Sequence, residues 1–155
     1  MLSDLPMKVL QILWLALALI PISTAASPHI QVVDAWVRAT VPGQQATGAF
    51  MKITASTPVR LLSMATHVAN INEIHEMKMD NGIMRMRAHL GGLEIPSKTT
   101  VELKPGGYHM MMMDLTRTLL PGQTVPLELR FTDAKGMQYT VSVNARTSFK
   151  DPYSK

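Results

Sequence analysis

From Ile30 to Ala145, turn-forming residues cut the chain into short pieces. They occur at Val41-Pro-Gly-Gln-Gln45, Ser56-Thr-Pro58, Asn81-Gly82, Gly91-Gly92, Pro96-Ser97, Pro105-Gly-Gly107, Pro121-Gly122 and Asp133-Ala-Lys-Gly136. The pieces between them are rich in alternating apolar residues, and none beyond the N-terminal run has helical periodicity. This pattern predicts strands over 30–37, 47–55, 59–66, 71–79, 83–88, 99–103, 108–115, 125–132 and 137–145. One helical turn is possible over 114–120. A chain divided this way folds as an all-β sandwich or barrel, because no segment is long enough to build helix layers.

The first 26 residues stand apart. Lys8 precedes an apolar run from Val9 to Ile22, then the small residues Ser23-Thr-Ala-Ala-Ser27. A basic residue, a short hydrophobic stretch and a small-residue cleavage site make a secretory signal peptide. Cleavage is expected near Ala25 or Ala26. The organisation expected is a signal peptide over 1–26, one domain over 27–150 and a short polar, frayed tail over 151–155. No later segment is apolar enough to cross a membrane, so no stable span remains once the signal is cleaved.

The sequence contains no cysteine among its 155 residues. This removes disulfides, a cysteine-linked lipid anchor and the thiolate of a blue-copper electron carrier. The formal charge of +4 comes from scattered basic residues rather than a stripe, which argues against a nucleic-acid partner. No nucleophile elbow is present, and although Glu73, Glu76 and Asp80 lie near the histidine-rich segments, Glu76 points away from the ligand face. A non-enzymatic protein is expected.

Chemistry concentrates in two segments, His75-Glu-Met-Lys-Met-Asp-Asn-Gly-Ile-Met-Arg-Met86 and Tyr108-His-Met-Met-Met-Met113. Asn81-Gly82 is the signature of a two-residue type I′ hairpin turn. Such a turn sets Asp80 opposite Ile83, Met79 opposite Met84, Met77 opposite Met86 and His75 opposite Ala88. Side chains alternate across a strand, so His75, Met77, Met79, Met84 and Met86 share one face, and Glu76, Lys78, Arg85 and Arg87 share the other. In the second segment His109, Met111 and Met113 share a face, while Met110 and Met112 are assigned to packing. Thioethers and imidazoles are soft or borderline neutral donors that select Cu(I) over harder ions. His67 and His89 have no methionine two residues away and are expected to be surface or hydrogen-bonded histidines. His29 would be third after cleavage, but Pro28 lacks the amide that an amino-terminal Cu(II) motif requires. Met51, Met64 and Met137 are expected in the core.

The spacing of these residues resembles the His-x10-Met…His-x-Met pattern of the PCu(A)C family of periplasmic copper chaperones. It is carried by His75, Met86 and His109-Met-Met111, and by the flanking words Glu73-Ile-His-Glu-Met77, Gly92-Leu-Glu-Ile-Pro96 and Val101-Glu-Leu-Lys-Pro-Gly-Gly-Tyr-His109. The interval from Met86 to His109 is one residue longer than usual, and a loop at Gly91-Gly92 can absorb it. The His- and Met-rich C-terminal tail of some relatives is missing, which argues against a second copper there. The resemblance implies a cupredoxin-like Greek-key β-sandwich holding one Cu(I) per chain through His75, Met86, His109 and Met111, with Met77 and Met79 in reserve. It also implies a periplasmic protein that delivers copper toward the CuA centre of cytochrome c oxidase, beside the oxidase copper subunit and Sco-type assembly factors. A periplasmic copper buffer or resistance protein is the alternative within copper biology. An exported β-sandwich interaction module that ignores metal is the alternative outside it.

Overall fold

A computed structural model describes residues 27–154; the signal peptide expected over 1–26 lies outside the described residues. Ten strands follow one another: β1 Ile30–Arg38, β2 Ala46–Ala55, β3 Val59–Ala65, β4 Ala69–Asp80, β5 Ile83–Ala88, β6 Leu93–Ile95, β7 Thr100–Leu103, β8 His109–Leu115, β9 Thr124–Asp133 and β10 Gln138–Ser148. They pair in the order β5-β4-β8-β2-β1-β10-β9-β3-β6, with β7 also on β2. The strands wrap around one core as the single-domain, all-β sandwich that the pattern predicts, with the cupredoxin-like architecture that the resemblance implies. No helix among the described residues is long and apolar enough to cross a membrane.

The core follows from alternation. Leu127, Leu129 and Phe131 of β9 are fully buried every second residue, and they share one core with Leu61, Ile95, Leu103, Met51, Ile53, Met110 and Met112. A strand with one buried face has its register set by this pattern, because a slip of one residue would turn the apolar set outward.

Three departures have local causes. In β1 the alternation fails and Ala35, Trp36 and Val37 are buried in succession. Asp34 adopts a left-handed conformation (φ 55°) and creates a bulge against β2 between Val33 and Trp36; its carboxylate accepts a hydrogen bond from Lys52 Nζ at 2.7 Å. The bulge turns Trp36 onto the outer face of the sheet, directly across from Phe50, with ring centroids 4.5 Å apart. Second, β6 is a short strand on β3 that the turn signals around it conceal. Third, the segment after β8 forms bends rather than a helical turn. Asp114 takes a left-handed conformation (φ 53°) one residue before β8 ends, and the buried Thr40 hydroxyl accepts the Leu119 N–H at 2.8 Å. Met51 and Met64 lie in the core as expected, but Met137 is 59% exposed in the β9–β10 turn. The tail expected to fray forms an exposed turn at Asp151–Ser154, where Asp151 accepts the Tyr153 N–H at 2.8 Å.

Candidate metal centre

The β4–β5 hairpin has the register that Asn81-Gly82 dictates. Both turn residues take positive φ (50° and 78°), as a type I′ turn requires. Met79 faces Met84, Met77 faces Met86 and His75 faces Ala88. The opposed charges Glu76 and Arg87 do not bond to each other. Arg87 reaches diagonally to Asp80 (2.6 Å), and Glu76 lies 3.7 Å from His89 Nδ1.

β4 also pairs with β8, and there His75 stands directly opposite His109. Met110 and Met112 point into the core, fully buried, so His109 and Met111 project from the opposite face of the sheet. That face carries a second layer. Phe50 on β2 stacks on Trp36 on one side and lies 6.2 Å from the His109 ring on the other. Gly48 makes room for it, since a Cβ there would come within 2.7 Å of the Phe50 ring edge. The Arg38 guanidinium sits 5.7 Å over the Phe50 ring.

These parts border an open cavity of about 300 Å³ lined by His109, Met111, Met86, Met77, Phe50 and Arg38, among others. Three of the four residues expected to bind metal, Met86, His109 and Met111, therefore meet at one place, joined by Met77. His75 borders them, its ring 5.9 Å from that of His109 and nearly edge-on. Met79 lies one pair farther toward the hairpin tip and is 60% exposed, outside the cavity.

Hydrogen bonding decides which ring nitrogens are free. His109 Nδ1 lies 3.1 Å from the Gly107 carbonyl. A carbonyl only accepts, so Nδ1 carries the hydrogen and the Nε2 lone pair faces outward. Nε2 points at Met86 Sδ, 3.2 Å away. Burial is the main reason the His109 pKa is lowered; the Gly107 bond opposes it, and the nearby His75 and Arg38 add to the lowering. The ring is thus held neutral, and two lone pairs face each other without a proton between them. Zinc–nitrogen and zinc–sulfur bonds of about 2.0 and 2.3 Å put tetrahedral donors roughly 3.5 Å apart. The observed separation is within a few tenths of an ångström of that value for a similar-sized d10 ion.

His75 presents the complementary case. Its Nε2 donates to Glu73 Oε2 at 2.8 Å, and its buried Nδ1 has no hydrogen-bond partner among the described residues. An unpaired buried nitrogen is unfavourable unless something occupies it. Glu73 is the partner that the sequence reading passed over. Alternation places it two residues from His75 on the same face, and that signal could have found it. The other histidines lie away from this centre: His67 and His29 are exposed, and the His89 ring rests edge-on against Tyr108, 5.1 Å away. Among the described residues no three His, Asp or Glu side chains gather as a metal site. A cation held in the cavity must therefore use thioether sulfur, which selects a soft ion.

Comparison with known proteins agrees with this architecture. The model of the LpqE-like lipoprotein family matches residues 30–143. A protein of Leifsonia xyli subsp. xyli, also named as a lipoprotein, is 32% identical over 124 residues, covering 80% of this chain and 75% of its own. The copper-free PCuAC domain of PmoF1 shares the fold at 21% identity, with a TM-score of 0.60 over 77% of this chain and 92% of that one. The solution structure of the Cu(I) form of DR1885 from Deinococcus radiodurans is 30% identical, with a TM-score of 0.56 over 77% of this chain and 76% of that one. The chain belongs to the LpqE-like family, of the PCuAC type.

Proposed function

We propose that this protein is a copper chaperone of the exported compartment that carries one Cu(I) in the β4–β5–β8 cavity. The ligands are His109 through Nε2, His75 through Nδ1, and the sulfurs of Met86 and Met111. The observation that carries this reading is the approach of His109 Nε2 to Met86 Sδ at 3.2 Å, with Nδ1 of the same ring engaged by the Gly107 carbonyl. The 30%-identical DR1885, solved with Cu(I), supports it. Four neutral donors hold Cu(I) less firmly than thiolates would, and Met86 lies on the edge strand β5, 48% exposed. An accessible thioether is the ligand an incoming acceptor can displace first, which favours delivery over storage. The recipient is the CuA centre of a cytochrome c oxidase, assembled beside Sco-type factors in the periplasm after signal cleavage. The protein itself catalyses no reaction.

Anaerobic titration with Cu(I) against a colourimetric chelator tests the reading. One equivalent should be retained, and Met86→Ala or His109→Ala should weaken retention far more than His67→Ala. Equal behaviour of the three variants would reject the ligand set. Transfer from the loaded protein to an apo oxidase fragment tests delivery.

A further inference from the structure

Two groups of methionines contrast in their placement. Met51, Met64, Met110 and Met112 are buried and fill the core. Met77, Met79, Met84 and Met86 form two adjacent cross-strand pairs on one face of the β4–β5 hairpin, and Met79, Met84 and Met86 are exposed by 60%, 49% and 48%. Packing does not account for the outer pair. Solvent-facing strand positions favour β-branched or polar residues, and an exposed thioether is open to sulfoxide formation.

Their order along the hairpin is informative. Starting from the Asn81-Gly82 tip, the Met79–Met84 pair comes first, then Met77–Met86, and then His75 beside His109. Same-face pairs two residues apart are spaced by about 7 Å, and methionine has three rotatable side-chain bonds. Met77 and Met86 border both the outer pair and the cavity. The cationic side chains of the hairpin are drawn to its other face, where Arg85 and Arg87 pair with Asp80 at 3.5 and 2.6 Å.

We propose that Met79 and Met84, together with Met77, form a second, all-thioether site for Cu(I), and that the ion passes from it into the His/Met cavity. The proposal rests on the Cu(I) reading of that cavity. Each step exchanges one neutral donor for another, thioethers along the hairpin and then Met86 with the neutral His109 imidazole, so no electron or proton moves. The tip site is weaker than the cavity because it lacks imidazole. It captures the ion, and the cavity retains it.

The test is anaerobic Cu(I) titration of the protein carrying 13C-methyl methionine, followed by NMR, with Met137 as an equally exposed control on another hairpin. The first equivalent should shift the Met86 and Met111 methyls, and further Cu(I) should shift Met79 and Met84 while Met137 stays in place. In His109→Ala the Met79 and Met84 shifts should persist. The Met79→Leu/Met84→Leu variant should bind its first equivalent with unchanged affinity but take it from a chelator several-fold more slowly. If Met79 and Met84 move no more than Met137, or the double variant loads as fast as wild type, the tip site is overturned and the cavity reading stands. If Met79 and Met84 respond while Met86 and Met111 stay silent, the cavity reading fails and the tip site survives as an independent one. Silence at all four overturns both.

Discussion

His109 donates its Nδ1–H to the carbonyl of Gly107, two residues earlier, at 3.1 Å. The same carbonyl accepts the backbone N–H of Met77 at 3.2 Å. One oxygen thus sets the tautomer of a histidine on β8 and ties the Pro105–Gly107 loop to β4. Because the ring is buried, its neutral form is favoured in the folded protein, and its pKa lies below the ordinary 6.5. A histidine whose folded pKa is depressed contributes stability that is full above its unfolded value and is lost as pH falls through the folded one. NMR titration of the metal-free protein should place the His109 midpoint below 6.5, with the hydrogen on Nδ1 at neutral pH. A midpoint at or above 6.5 would contradict the burial argument.

Glu73 holds His75 by its Nε2–H, leaving Nδ1 free. Partners of this kind orient a ligand without touching the metal, and their loss typically weakens metal affinity about 10–100-fold. Glu73→Ala should therefore lower Cu(I) affinity by at least about tenfold, with little change in urea stability because the carboxylate is exposed. Glu73→Gln, which retains an acceptor oxygen, should recover most of the loss. Chelator competition on the three proteins decides it, and equal affinities would remove Glu73 from the site.

Much of this site is legible from residues close together in the chain, and much less of it where strands distant in sequence supply the parts. Asn81-Gly82 followed by alternation specifies every pairing of the hairpin, because turn type and register are locally linked. His109-Met-Met-Met-Met113 carries no polar contrast, so its two faces differ only in what β2 and β4 place against them. Phe50 and Gly48 enter the site on β2 through the β2–β8 pairing, and Arg38 enters from β1, which pairs with β2; no local pattern announces either. The bulge at Asp34 and the end of β8 at Asp114 use left-handed aspartates, where glycine would have been the expected marker. Met137 was misplaced because an apolar residue after a turn reads as core until the hairpin's position is known.

Gly48 shows how far the site depends on that distant strand. It pairs with Met111, and an added Cβ would press 2.7 Å from Phe50 Cζ. Phe50 cannot yield freely, because Trp36 stacks on one side and His109 lies on the other. Gly48→Ala should cost about 1–3 kcal/mol of stability, the usual range for overpacking, and should also weaken Cu(I) retention by displacing His109. Urea unfolding and chelator competition measure the two effects. A stable variant with wild-type retention would show that Phe50 moves independently of the metal centre.

At the far end of the sandwich, Asp133 gathers the β9–β10 turn. Its Oδ1 accepts the N–H of Lys135 at 2.8 Å and of Met137 at 2.9 Å, and its Oδ2 accepts the Tyr139 hydroxyl at 2.9 Å. Partial burial pushes its pKa up, but the bonds from Met137, Tyr139 and Lys135, with the charge of Lys135, outweigh this and hold it below the ordinary 3.8. A carboxylate with a depressed folded pKa contributes stability that is complete above the unfolded value and disappears as pH falls through the folded one. Asp133→Asn, which replaces an acceptor oxygen by a donor, should therefore melt below wild type near neutrality. The gap should close as pH drops below 3.8 and the wild-type carboxyl takes up its proton. Thermal melts of both proteins across that window measure it, and a gap that stays constant with pH would mean that the Asp133 charge contributes nothing to holding the turn.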